Sequence, residues 1–244
     1  MKWIDLNSDV GEGIGNEAQL MPFLSSCNIA CGGHAGDERT MGTTIRVARQ
    51  YNVKLGAHPG YPDKENFGRK VMDISTNDLI ASIQAQLALF LKVLKEEGGE
   101  LHHIKPHGAL YNEIAIDTDL AMVFLEAVKA FSDIPIYVPF CSKIEEEAKK
   151  KGIPIKLEAF ADRNYNADYS LVSRKEGNAL IQAPEEVLQH LLKMVHEKKI
   201  WSVQGMEIEI KADTFCIHGD TPRALEILTY LHRELPNHNI QIRK

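Results

Sequence analysis

Asn28-Ile29-Ala30-Cys31-Gly32-Gly33-His34-Ala35-Gly36-Asp37 runs from small apolar residues into glycines that surround one imidazole and end at one carboxylate. An apolar run of this length reads as a buried strand, and the glycines after it permit positive φ and close backbone approach, so the segment predicts a strand that delivers chemistry at its C-terminal end. The same grammar recurs along the chain. Ile4-Asp5-Leu6 leads into Asn7, Asp9 and Glu12, and Val53-Lys54-Leu55 leads into His58 and Asp63. His103-Ile104-Lys105 leads into His107 and Tyr111, Ile136-Tyr137-Val138 into Pro139 and Cys141. Ile155-Lys156-Leu157 leads into Glu158, Asp162 and Arg163, and Phe215-Cys216-Ile217 into His218 and Asp220.

Helical segments separate these runs. Ser75 with Asp78 marks an N-terminus for an apolar-periodic stretch from Leu79 to Leu94, closed by Gly98-Gly99. Asp117 to Phe131 repeats the pattern, and Ser142 with Glu145 opens a helix that Gly152 ends. In that helix three glutamates at 145–147 precede three lysines at 149–151, the favourable orientation for i,i+4 pairs on a solvated face. Pro184 suits a first turn running on to about Lys199, and Thr221-Pro222 predicts another helix start. Trp201 to Asp213 departs from the alternation: Val203, Gly205, Ile208 and Ile210 suggest a hairpin inserted before the last unit. Strand–helix alternation of this kind predicts an α/β fold, a TIM-like (β/α) barrel of seven strands, whose strand C-termini converge on one face. No repeat, linker or composition shift divides the chain, so residues 1–244 are expected to form one domain.

Composition excludes several functions. The 244 residues are 44% hydrophobic, enough for a sizeable core, and the formal charge of −6 lacks the basic stripe that a nucleic-acid partner requires. Met1-Lys2-Trp3-Ile4-Asp5 meets charge at once, without the apolar stretch of a signal peptide, and no uninterrupted apolar run has membrane length. The expected setting is therefore cytoplasmic, with neither nucleic acid nor membrane as partner. The four cysteines, 27, 31, 141 and 216, form no C-x-x-C pair and read as reduced, packed thiols.

Four histidines, His34, His58, His107 and His218, follow strands beside glycine or proline, and imidazole serves both proton transfer and metal ligation. Asp9, Glu12, Asp37, Asp63, Asp162 and Asp220 place carboxylates on the same rim, and Lys105 sets a cation two residues from His107. Arg69 and Arg163 are candidate clamps for a substrate carboxylate or phosphate. A divalent metal is chemically compatible with this rim, although no compact ligand motif specifies one. Gly11-Glu12-Gly13-Ile14-Gly15 lacks the form of a phosphate loop. Cys31 and Cys141 are weak candidates for a nucleophile.

Taken in order, Asp5–Glu12, Asn28–Asp37, Gly56-Ala57-His58-Pro59-Gly60-Tyr61-Pro62-Asp63, Phe67-Gly68-Arg69, Lys105-Pro106-His107-Gly108-Ala109-Leu110-Tyr111-Asn112, Glu158–Arg163 and His218-Gly219-Asp220 closely resemble the lactam-utilisation family. Ser8, Glu38, Asn66 and Ser173 depart from its pattern, which often has cysteine, proline, glycine and proline there; none of these removes a candidate site residue. The resemblance implies a seven-stranded barrel similar to glycoside hydrolase and polysaccharide deacetylase barrels. It also implies a share in 5-oxoprolinase activity, the ATP-dependent opening of 5-oxoproline to glutamate, with two other subunits, B and C, handling part or all of the ATP chemistry. Asp9, His34, His58, Lys105, His107 and His218 are the expected catalytic set; Glu12, Asp37, Arg69, Tyr111, Asp162, Arg163 and Asp220 are expected to bind substrate. Asp9 is expected to orient His34 as a general base. Two alternatives stand beside this reading: a metal-dependent amide or deacetylase-like hydrolase that needs no ATP, and a noncatalytic lactam-binding subunit.

Overall fold

The computed structural model describes all residues from Met1 to Lys244. Seven strands close a parallel barrel in the order β1 (Lys2–Val10), β2 (Ser26–Ala30), β3 (Lys54–His58), β4 (Leu101–Ile104), β5 (Ile136–Pro139), β6 (Ile155–Phe160) and β9 (Thr214–Cys216), with β9 returning to β1. Each of the seven apolar runs read from sequence lies in or directly against one of these strands. Parallel pairing joins every neighbour, from Asn7 opposite Ser26 round to Asp5 opposite Thr214. The β4–β5 seam is the thinnest, held in register at Ile104 and Ile136.

Helices α2 (Glu38–Gln50), α3 (Thr76–Glu96), α4 (Gly108–Ile116), α5 (Thr118–Ala127), α6 (Lys143–Lys150), α7 (Pro184–Glu197) and α8 (Ala224–Glu234) surround the barrel, and the short α1 (Glu17–Leu20) follows β1. Their caps follow the sequence signals: Ser75 accepts from the Asp78 amide, Asp117 from Leu120 and Ser142 from Glu145. α3 is long and apolar enough to suit a membrane span by composition, and here it lies against the barrel with Leu79, Ile83, Leu87, Phe90 and Leu94 buried. The inserted hairpin is β7 (Lys199–Trp201) paired antiparallel with β8 (Glu207–Glu209).

Two features differ from the sequence reading. Thr221-Pro222 does not begin a helix, because the Thr221 hydroxyl donates to Asp162 and the chain then turns through Arg223 at φ 65° before α8 starts at Ala224. A further strand, β10 (Ile240–Ile242), pairs with Lys2–Ile4, covering the part of the β1 edge that β9 leaves free below Asp5.

The barrel interior is polar. The Ser26 and Thr214 hydroxyls both donate to Asp5 Oδ1, and Asn7 Nδ2 donates to Glu158 and to Thr214. Asn28 Nδ2 donates to Asn7 and to Asp9, while His103 Nε2 donates to Asn28 Oδ1 at 2.6 Å and its ring stacks on Tyr137. His103 fits because β3 carries Gly56 opposite it, where a Cβ would collide with the imidazole. The apolar residues of the strands face outward onto the helices, so the main hydrophobic core is the layer between barrel and helix ring.

Candidate active site

The C-terminal ends of the strands surround a cleft of about 590 Å³ whose walls include Asp9, His58, Lys105, His107, Tyr111 and His218. Residues far apart in sequence meet here because parallel strands end on one face. Gly11 and Gly13, at φ 72° and 84°, bend the chain after β1 and turn Glu12 back into the site.

Lys105 occupies the centre. Its side chain is 2% exposed, and the ammonium lies 2.9 Å from Asp9 Oδ1, 3.0 Å from Glu158 Oε1 and 3.3 Å from Cys216 Sγ. Burial alone would depress its pKa, but Asp9, Cys216 and Glu158 outweigh it and hold the amine above its ordinary range. Asp9 mirrors this: burial would raise its carboxyl, yet His58 and Lys105 hold it well below the usual range. The two groups stay a buried ion pair at neutral pH.

Behind this pair lies a compact group of three histidines and one carboxylate. His34 Nε2 sits 3.1 Å from Glu12 Oε1, and the His34 ring stacks on His107 at 3.5 Å. His107 Nδ1 is 2.9 Å from His58 Nε2 and 3.3 Å from Glu12 Oε1. Burial pushes the His34 and His107 imidazoles well below the ordinary histidine range, and burial together with Asp9 and Asp220 raises the Glu12 carboxyl. The donor atoms of Glu12, His34, His58 and His107 lie within 4.8 Å of one another; a second group, Asp9, Cys216 and His218, does too. Asp9 does not orient His34. It faces His58 at 3.5 Å, and Glu12 is the carboxylate that meets His34.

On the opposite wall Asp162 accepts from His218 twice, from the backbone amide at 2.9 Å and from Nδ1 at 3.0 Å. The His218 tautomer is thereby fixed with its other nitrogen free, the arrangement by which a carboxylate orients an imidazole for proton transfer. Asp220 receives Arg69 and Arg174, the latter at 3.2 and 3.3 Å. The Tyr111 hydroxyl and Glu158 Oε2 are buried without a hydrogen-bond partner.

Three expected site residues have other duties. Asp37 is the N-cap of α2, exposed, its side chain accepting the Thr40 amide in a reciprocal capping box. Arg163 lines the cleft and donates to the carbonyls of Val172 and Ala179, so its guanidinium fastens the loop over the cleft. Asp162 touches His218 and Thr221 and acts through them rather than on a ligand. Burial pushes the Cys31 thiol up to about 12, away from a nucleophile's range, and Cys141 is exposed and does not line the cleft. Glu158 and Arg174 escaped the sequence assignment. Glu158 was legible as the last polar residue of a strand, whereas Arg174 sits in the irregular 161–183 loop, where no periodicity points inward.

The match to the LamB/YcsF family spans residues 4–244. The chain belongs to that family. Among its relatives, proteins named as the A subunit of 5-oxoprolinase, from Thermococcus sibiricus and Shouchella clausii, are 42% and 43% identical, covering 98% and 100% of this chain and 96% and 98% of their own. The lactam utilization protein of Thermus thermophilus superposes with a TM-score of 0.91 at 38% identity, covering 100% of this chain and 99% of its own. A deacetylase, T48, shares the barrel with a TM-score of 0.51 at 9% identity, a likeness of fold alone. In this LamB/YcsF chain the barrel places a buried lysine–carboxylate centre, an oriented histidine and an arginine pair around one cleft.

Proposed function

We propose that this LamB/YcsF chain is the lactam-opening subunit of a 5-oxoprolinase, hydrolysing 5-oxo-L-proline to L-glutamate in a reaction coupled to ATP. The observation that carries the proposal is the Lys105 ammonium, held charged between Asp9 and Glu158 at the floor of the cleft, where a lactam oxygen gains negative charge during hydrolysis. The names of relatives at about 40% identity over nearly the full chain supply the substrate.

An unstrained lactam is a poor electrophile. Transfer of the ATP γ-phosphoryl group to the lactam oxygen releases ADP and activates the ring carbon; water then adds, the ring C–N bond breaks as nitrogen takes a proton, and a second water hydrolyses the resulting acyl phosphate to glutamate and phosphate. Each need has a candidate group here. Lys105 balances charge on the oxygen, and His218, oriented by Asp162, moves protons between water and the ring nitrogen. Arg69 and Arg174, spaced about Asp220, hold the substrate carboxylate, while the unpartnered Tyr111 hydroxyl and Glu158 oxygen offer hydrogen bonds to the ring amide. The chain shows no phosphate loop, so partner subunits B and C, in the cytoplasm, supply the ATP chemistry.

The test is to combine the purified chain with its partner subunits, omit each in turn, and follow phosphate and glutamate separately. The full mixture should release both, and the chain alone neither. His218→Asn should lower glutamate release by roughly a hundredfold or more while the complex still forms. Robust ATP-coupled glutamate release by this chain alone would defeat the division of labour. The histidine–glutamate group favours one competing reading, an amide hydrolase that needs no ATP; glutamate release undiminished by omission of ATP would establish it instead.

A further inference from the structure

The Glu12–His34–His58–His107 group has a feature that proton transfer does not explain. His58 Nδ1 lies 2.7 Å from the Lys105 carbonyl oxygen, and His107 Nε2 lies 2.9 Å from the Phe67 carbonyl oxygen. A carbonyl only accepts, so both nitrogens carry the ring hydrogen. In the neutral rings the remaining nitrogens, His58 Nε2 and His107 Nδ1, are bare lone pairs facing each other at 2.9 Å, with Asp9 Oδ2 a further acceptor 3.5 Å from His58 Nε2. Two lone pairs at that separation repel unless a cation lies between them. Another acceptor faces the same point: Glu12 Oε1 is 3.3 Å from His107 Nδ1, 3.9 Å from His58 Nε2 and 3.1 Å from His34 Nε2.

These separations have the scale of a coordination sphere. Ligand bonds of about 2.0–2.2 Å in a tetrahedral zinc site put neighbouring donors about 3.4 Å apart. Backbone carbonyls that fix the tautomer of ligating histidines are the usual outer partners of such sites, and here they come from β4's end and the Phe67 loop. The loops are built to bring the rings this close: Gly68, at φ 60°, presses against both, and a Cβ there would lie 2.8 Å from His34 Cβ and 3.1 Å from His107 Cδ2. The other candidate group, Asp9, Cys216 and His218, already has its cation, since the Lys105 ammonium contacts both Asp9 and Cys216.

We propose that Glu12, His34, His58 and His107 bind one divalent transition-metal ion, zinc by the borderline-soft N₃O donor set, directly behind Asp9 at the base of the cleft. The site lies beneath the one assigned above to lactam opening, but its existence does not depend on that assignment. A proton shared between His58 and His107 is the competing occupant of the same gap.

The test uses the full chain, stripped with a chelator and containing neither lactam nor ATP, titrated calorimetrically with zinc chloride at neutral pH. One zinc ion should bind per chain, Glu12→Gln and His34→Gln should each weaken it at least tenfold, and Cys216→Ser should leave it unchanged. Circular dichroism of the variants guards against loss by unfolding. Cobalt(II) gives an independent readout on the wild-type chain: a visible spectrum of tetrahedral type without a thiolate charge-transfer band. Absence of saturable zinc binding by the wild-type chain overturns the proposal in favour of the shared proton. Loss of binding in Cys216→Ser with retention in Glu12→Gln overturns it in favour of the second group. Because activity is not measured, a failed metal site leaves the oxoprolinase reading standing, and the reverse also holds.

Discussion

Lys105 is the residue on which the site's electrostatics turn. Its charge is matched by Asp9 and Glu158 within 3.0 Å, all three being buried. Removing one partner of a buried ion pair strands the others, typically at about 3–5 kcal/mol. Lys105→Met is therefore expected to destabilise the chain by that amount, measured by urea unfolding, as well as to abolish glutamate release. A variant as stable as wild type would show that solvent reaches the carboxylates. Asp162 gives a pH-resolved counterpart. Burial would raise its carboxyl, but His218 and the Thr221 hydroxyl overcome this and hold it below the ordinary value. A depressed native pKa means the unfolded chain takes up the proton first on acidification, so the stabilisation is present above the unfolded carboxylate value of about 3.9 and is lost as pH falls through the native value. Asp162→Asn should accordingly cost about 1–3 kcal/mol between pH 7 and pH 5, with the gap closing below about pH 4. A gap that stays constant down to acid unfolding would mean that the carboxylate charge contributes nothing.

At the scale of elements, α7 has a titration of its own. It places His190 beside Tyr165, and the ring's Nε2 is sealed from solvent without a partner. Burial pushes that imidazole down to about 4. Since an unfolded histidine titrates near 6.5, the unfolded state binds more protons between these values, and stability falls as pH drops through that window, by at most about 1.4 kcal/mol per pH unit. His190→Leu should flatten the decline in urea midpoint from about pH 6.5 to about pH 4; an unchanged slope would assign the titration elsewhere. Element positions were the most legible level of this molecule, because capping residues such as Ser75 and Ser142 and the apolar runs that became β1 to β6 and β9 are local signals. Thr221 shows where local signals fail. Its hydroxyl was equally suited to capping a helix, and only the fold brings Asp162, distant in sequence, close enough to take it.

For the molecule as a whole, the convergence of His34, His58, His107 and Lys105 was legible because a parallel barrel gathers strand ends. Which carboxylate meets which imidazole was not, since Asp9 and Glu12 differ by less than one turn of loop and only the bend at Gly11 and Gly13 separates their directions. The polar barrel interior was also hidden: Asp5, Asn7, Ser26 and Asn28 alternate or adjoin apolar residues in patterns that a half-exposed strand would share. That interior ties the site to the rest of the barrel, running from Asp5 through Thr214, Asn7 and Asn28 to Asp9 without a break. Asn28 is its junction, with its amide donating to Asn7 and Asp9 and its oxygen accepting from His103. Replacing it by leucine keeps the volume but strands Asn7 Oδ1 and His103 Nε2, each costing about 1–3 kcal/mol when unsatisfied, and takes from Asp9 Oδ1 one of the two donors it shares with Lys105. Asn28→Leu is thus expected to destabilise the chain by roughly 3 kcal/mol or more. Ile29→Val, one residue along the same strand in the apolar layer, should cost only about 0.5–1.5 kcal/mol. Urea unfolding of both variants decides the matter: a loss in Asn28→Leu no greater than in Ile29→Val would mean that water already serves these groups, and that the barrel is held by its outer apolar layer alone.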